Sequence, residues 1–168
     1  MNFEFLNKET IRKISANRKK IENKLQVKLE IKENQIEISG EEVDIYATTR
    51  VLEALEKNFS LETALLLIEP DYIIEDIPIK DITKKKNLSL VRARIIGTQG
   101  KTLKLISELS NCYLTLHNNT VSIIGSAEKI KYAINAIKSL ISGSKQANIY
   151  SYLERARKKL RTENLSLR

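Results

Sequence analysis

Apolar residues recur along this chain with two periods, and the switches between them mark its elements. Alternation in Val27–Ile31, Gln35–Ser39, Tyr113–Leu116 and Val121–Ile124 predicts half-buried strands. Leu90–Ile96 also reads as a strand, and Tyr72–Lys80, which carries Pro78, reads as an extended segment. Elsewhere the spacing is helical. Lys101–Leu109 would bury Leu103, Ile106 and Leu109, and a helix begun at Ser126 would bury Ile130, Ile134, Ile137 and Leu140 before stopping at Ser142-Gly143-Ser144. Further helices are predicted over Glu42–Lys57, over Leu61–Ile68 ahead of Pro70, and over Asn148–Arg161, the last with Tyr152 and Ala156 facing inward and Leu153 and Leu160 nearby. Asn118-Asn119 supplies the hairpin turn, since Asn tolerates positive φ.

The pattern occurs twice, at an offset of 85 residues. Ile36-Glu37-Ile38-Ser39-Gly40 falls on Val121-Ser122-Ile123-Ile124-Gly125, Leu29 and Ile31 on Leu114 and Leu116, and Ile21 on Ile106. Ile45, Leu52 and Leu55 fall on Ile130, Ile137 and Leu140. One register spans both strand-like and helical segments, so two copies of one unit are expected.

Charge divides the chain along similar lines. Residues 1–75 hold 11 Lys+Arg against 15 Asp+Glu, a net −4, and residues 76–168 hold 18 against 6, a net +12. The second half therefore suits a polyanionic partner and the first does not. The basic half also contains Ile95-Ile96-Gly97-Thr98-Gln99-Gly100-Lys101-Thr102, two glycines three residues apart at the start of a helix. Backbone without side chains lies close to a sugar-phosphate chain, and the helix behind it offers unpaired N–H groups. Lys101 and Lys104 add charge. This is the way a KH module clamps about four nucleotides of single strand. The plain alternative is a tight turn between helices.

With strand, helix, glycine loop, helix, two strands and helix, the chain resembles the two-KH-domain small-subunit rRNA-processing proteins of archaea, counterparts of the eukaryotic partner of the Nob endonuclease. The resemblance rests on Arg94-Ile95-Ile96-Gly97-Thr98-Gln99-Gly100, on Val121–Gly125, on Phe59–Leu65 and on Tyr150–Arg157. It implies an α+β protein of two tandem type I KH domains, each a three-stranded antiparallel sheet packed with helices, plus a C-terminal basic helix. The expected domains are 1–75, a degenerate KH-like unit without the glycine loop, and 76–168, a full KH domain. It also implies a ribosome assembly factor that binds small-subunit rRNA near its 3′ end. The partners implied are the rRNA-trimming endonuclease and the alpha subunit of initiation factor two. A protein-interaction scaffold and a general mRNA- or exosome-associated KH protein are the alternatives.

The candidate RNA contacts are Arg92, Arg94, Ile95, Ile96, Gly97, Thr98, Gln99, Gly100, Lys101, Thr102 and Lys104, with Arg155, Arg157 and Lys158 from the basic C-terminal segment. Ile95, Ile96, Leu103, Leu114 and Leu116 divide between core and groove in a way the sequence leaves open, and the C-terminal cations suit a solvated face as well as phosphate contact. In the first half the loop position falls on Arg12-Lys13-Ile14-Ser15, where Ile14 would oppose a positive φ. There Arg12, Lys13, Arg18, Lys19 and Lys20 could meet RNA by charge alone.

Other chemistry finds little footing. The one histidine, His117, sits by a hairpin turn without a second ligand at metal spacing. The acidic residues are scattered over polar positions rather than paired for acid–base work, and no GxxxxGK[ST] phosphate loop is present. No enzyme, metal or cofactor is expected. Aromatics make up 5% of the chain and Trp is absent, which argues against base stacking on a sheet. The single Cys112 reads as a small buried apolar residue and favours a reducing compartment. Met1–Glu4 lacks the look of a secretory leader, and the longest apolar runs are four or five residues, so a cytoplasmic protein without membrane spans is expected.

Overall fold

The computed structural model describes residues 2–4 and 7–167. The chain divides into two compact units, Met1–Pro70 and Asp71–Arg168. The division falls ahead of the 75/76 boundary read from charge, because Tyr72–Pro78 is one continuous strand of the second sheet. Counted by these units, the first carries 11 basic and 13 acidic residues and the second 18 and 8, so the asymmetry of charge survives the shift.

The first unit runs β1 (Asn2–Glu4), α1 (Lys8–Leu25), β2 (Lys28–Lys32), β3 (Gln35–Ser39), α2 (Glu42–Glu56) and α3 (Leu61–Leu65), the last continuing as a 3-10 turn over Leu66–Ile68. Its antiparallel sheet has the order β1-β3-β2. Helix α1 begins where the Asn7 side chain accepts the Thr10 N–H at 2.8 Å. It ends at Gln26, whose φ of 54° turns the chain out of the helix. Ile14 and Ile21, two turns apart, are both fully buried.

The second unit runs β4 (Tyr72–Pro78), α4 (Ile79–Ile82), α5 (Leu88–Ile96), α6 (Lys101–Ser110), β5 (Tyr113–His117), β6 (Thr120–Ser126), α7 (Ala127–Ser142) and α8 (Gln146–Ser166). Its antiparallel sheet has the order β4-β6-β5. The 85-residue offset is visible in the pairing itself. Leu29 faces Ile38 and Ile31 faces Ile36 in the first sheet, while Leu114 faces Ile123 and Leu116 faces Val121 in the second. Asn118 takes φ 52° at the hairpin, and Gly143 takes φ 110° to end α7.

Four expectations need correction. Leu90–Ile96 is helix, not strand. Asn87 accepts the Ser89 N–H at 3.2 Å to start it, and Val91 and Ile95, one turn apart, are both buried. The extended segment closes at Pro78, after which the Ile79 N–H bonds the Asn119 carbonyl at 2.8 Å and a short helix follows. On α6 the fully buried positions are Thr102, Ile106 and Ser110, with Leu103 and Leu109 only partly covered at the edges of that face. On α8 the inward residues are Ile149, Leu153 and Ala156. Tyr152 is half-buried and packs its ring against Tyr132, with centroids 6.3 Å apart.

Candidate nucleic-acid interface

Helix α5 closes on Gly97, whose N–H bonds the Ala93 carbonyl at 2.9 Å. The chain then passes through Gly97 at φ 73°, Gln99 at φ 54° and Gly100 at φ 75° before α6 begins. Three left-handed residues in four make a protruding turn with Thr98 and Gln99 exposed. The two glycines do different work. A β-carbon on Gly97 would lie 2.1 Å from Thr102 Oγ1 and 2.8 Å from the Thr102 backbone nitrogen. A β-carbon on Gly100 would meet nothing within 4 Å. Gly97 thus lets the turn close on α6, and Gly100 leaves the outer side of the backbone open. Gly100 is the N-cap of α6 and no side chain caps the helix there; the Lys101 N–H bonds back to the Thr98 carbonyl, and the Lys101 side chain stands exposed at the positive end of a ten-residue helix.

Beyond the turn, Gly100, Leu103, Lys104, Ser107, Glu108 and Leu114 line a cleft between α6 and β5. Its layout is an apolar floor beside an exposed cation. Ser107 and Glu108 were not among the candidates from sequence. The signal for them was the helical spacing 100, 104, 107 and 108, which puts them on the face already marked by the glycine.

The candidates from sequence separate into groups. Lys101 and Lys104 are exposed on α6, Ile96 is 36% exposed, and Arg92 is half-buried. Ile95 is fully buried in the core of the unit, so its side chain is closed to RNA. Thr102, 3% exposed, accepts a hydrogen bond from Gln146 Nε2 at 2.9 Å and is equally closed. Arg94 donates to the Ser144 carbonyl and ties α5 to the link between α7 and α8. These three positions were expected to touch RNA; packing takes the Ile95 and Thr102 side chains for the fold, while half-buried Arg94 spends one of its donors on Ser144. Arg155, Arg157 and Lys158 are exposed on α8. Arg157 borders a different cleft, formed by α6, α7 and α8.

In the first unit no turn exists at Arg12-Lys13-Ile14-Ser15. The expected clash of Ile14 with a positive φ does not arise, because α1 continues through and buries Ile14. Several cations there are already engaged: Lys13 with Glu9 at 3.3 Å, Arg18 with Glu22 at 3.0 Å, and Lys20 with Glu62 at 3.4 Å.

Among the described residues no group of three His, Cys, Asp or Glu could hold a metal ion. Cys112 is 2% exposed, and burial pushes its thiol pKa up, away from nucleophilic use. Among the described residues no helix is long and apolar enough to cross a membrane.

Residues 73–158 match the family model for the eukaryotic type KH domain, KH type I, of the second PNO1 module. A KH domain-containing protein of Methanocaldococcus jannaschii is 31% identical over 157 residues, covering 89% of this chain and 69% of that protein. The pre-rRNA-processing protein PNO1 of Coccidioides immitis is 33% identical over 138 residues, covering 77% of this chain and 54% of that one. The chain thus spans little more than half of that eukaryotic relative. Among solved structures, a chain of the a/eIF2alpha–aDim2p–rRNA complex from Pyrococcus horikoshii superposes with a TM-score of 0.82 at 29% identity, covering 95% of this chain and 94% of that one. An α+β unit with a glycine turn opening its second long helix, matched by these relatives, leads to one assignment: the chain belongs to the PNO1/Dim2-like family of KH-domain proteins.

Proposed function

We propose that this protein is an RNA-binding factor of small-subunit ribosome assembly, holding single-stranded rRNA near the 3′ end of the subunit RNA in its second unit. The observation that carries the reading is the turn Gly97–Gly100. It presents open backbone and the uncapped start of α6 beside the cleft floored by Leu103 and Leu114. The names of the relatives favour this use, one being a pre-rRNA-processing protein and another standing in a complex with rRNA. On this reading Gly97, Thr98, Gln99, Gly100, Lys101 and Lys104 form the clamp, with Arg92 and Ile96 at its side and Arg155, Arg157 and Lys158 lending charge.

The first unit is a degenerate KH module in tandem with the second. It repeats the sheet register but has an unbroken α1 where the turn should be, and with 11 basic against 13 acidic residues it serves contact with protein rather than RNA. Its partners are the endonuclease that trims the rRNA and the alpha subunit of initiation factor two, the latter favoured by the presence of a/eIF2alpha in the Pyrococcus complex. The protein is of the archaeal kind, works in the cytoplasm, and performs no catalysis itself. Chemical footprinting on the small-subunit precursor tests the reading. A single protected region near the 3′ end is expected. Diffuse protection would instead favour a protein scaffold with incidental RNA affinity.

A further inference from the structure

Helix α8 runs for 21 residues where the first unit has only the short α3 at the same offset, and where it lies across the C-terminal end of α6 and the flank of α7 it leaves a cavity of about 250 Å³. Three kinds of side chain meet there. Leu109, Leu160 and Tyr132 line it with apolar surface, Lys129, Arg157 and Arg161 bring charge, and Asn111 and Asn164 also border the space, while the Tyr132 ring packs against Tyr152 with the Lys131 ammonium over it at 5.1 Å. A wall for a flat ring, amides for its edge and cations for a phosphate are the parts a nucleotide needs. Glu108 lines both this cavity and the cleft beside the glycine turn. The exposed positions Lys101, Lys104, Glu108 and Asn111 lead along α6 from one to the other, a distance of roughly 15 Å at 1.5 Å per residue.

We propose that this cavity is a second nucleotide subsite, taking one base of the same single-stranded RNA a few nucleotides beyond the clamp. The inference rests on the reading of the Gly97–Gly100 turn as an RNA clamp. Bases enter with a face against Leu109 and Leu160, and Asn111 and Asn164 meet the base edge. Lys129 and Arg161 each neutralise one of the two phosphates that flank the base. Glu108, between the two sites, repels phosphate and accepts from an exocyclic amino group, so the strand crosses it base-first. An acidic peptide would satisfy the cations but leave the amides and the ring wall without a purpose, which is why RNA is the favoured occupant.

The test compares oligoadenylate of four and twelve residues on the full chain by fluorescence anisotropy, for the natural protein, for Lys129→Ala with Arg161→Ala, and for Gly100→Asp. The double variant should bind the tetramer as the natural protein does. It should lose at least fivefold on the dodecamer, with a salt slope lower by about 1.4 if each cation neutralises one phosphate. AMP titrated into labelled protein should shift the amide signals of Asn111, Tyr132 and Asn164. An unchanged dodecamer affinity and slope would overturn the subsite, as would signals that move with hexaglutamate and not with AMP. Failure of the clamp reads separately: Gly100→Asp would then bind the tetramer normally, whatever the double variant does.

Discussion

Gly97 and Thr102 share one space: the hydroxyl and backbone nitrogen of Thr102 stand where any side chain on Gly97 would have to be. Thr102 is held there by Gln146 from α8, so the turn, α6 and the C-terminal helix are locked together through one buried hydroxyl. Gly97→Ala should therefore lower the stability of the second unit, by roughly 1–3 kcal/mol for an overpacked site. Chemical denaturation read by circular dichroism checks this. Gly100→Asp, whose side chain enters open space and whose type tolerates a left-handed backbone, should keep the fold and weaken single-stranded RNA binding about tenfold or more, some 1.4 kcal/mol.

Arg92 and Arg94 should part company. Arg94→Ala removes the guanidinium that meets the Ser144 carbonyl, so it should cost stability of about 1.5–3 kcal/mol and loosen the α7–α8 link. Arg94→Lys should not rescue it fully, since an ammonium lacks the planar fork. Arg92→Ala should leave the melting temperature unchanged and lower RNA affinity. Paired melting and binding measurements separate the two.

Lys101→Ala and Lys104→Ala should each weaken all RNA sequences alike and reduce the salt slope by about 0.7, the value for one phosphate of a single strand. Binding isotherms at several salt concentrations decide it. A changed base preference at constant slope would show that these lysines read bases.

The two units should differ in their use of charge. Reversing Lys101 and Lys104 should abolish most RNA affinity, while reversing Arg12 and Lys19, exposed on α1, should change it less than twofold. Lys13 and Arg18 are unsuitable for the comparison because both already pair within their own helix. Equal losses from both sets would make the first unit a full RNA surface.

Acid should weaken the first unit through Glu22. Its carboxylate accepts the Leu29 N–H at 2.8 Å and pairs with Arg18, and the Leu29 bond above all holds its pKa below the ordinary value. A depressed carboxyl pKa stabilises the fold above the unfolded value of about 4.3, and that contribution fades as pH falls through the lower folded value. Glu22→Gln should therefore be less stable at pH 7 and should lose less stability than the natural protein between pH 7 and pH 3. Urea unfolding across that range is the measurement.

Much of this molecule is determined by sequence alone, and the reason is periodicity. Strand pairs such as Leu114 with Ile123, and helical sets such as Ile130, Ile137 and Leu140, announce their own faces, because a side chain's direction follows from its place in a regular element. The glycine turn was equally legible, since only glycine serves where backbone must be bare. The helix Leu88–Ile96 was not. Its β-branched residues favour a strand locally, and burial of Val91 and Ile95 against neighbours distant in sequence overrides that preference. The same limit applies to the site. Ile95 and Thr102 carry the right chemistry in the right stretch, yet the core and Gln146 claim them, and Arg94 is tied at one end to Ser144. Ser107 and Glu108 join the cleft because β5 brings Leu114 against α6. Which side chains remain free for a ligand depends on what packs over them, and that is settled by contacts between elements far apart along the chain.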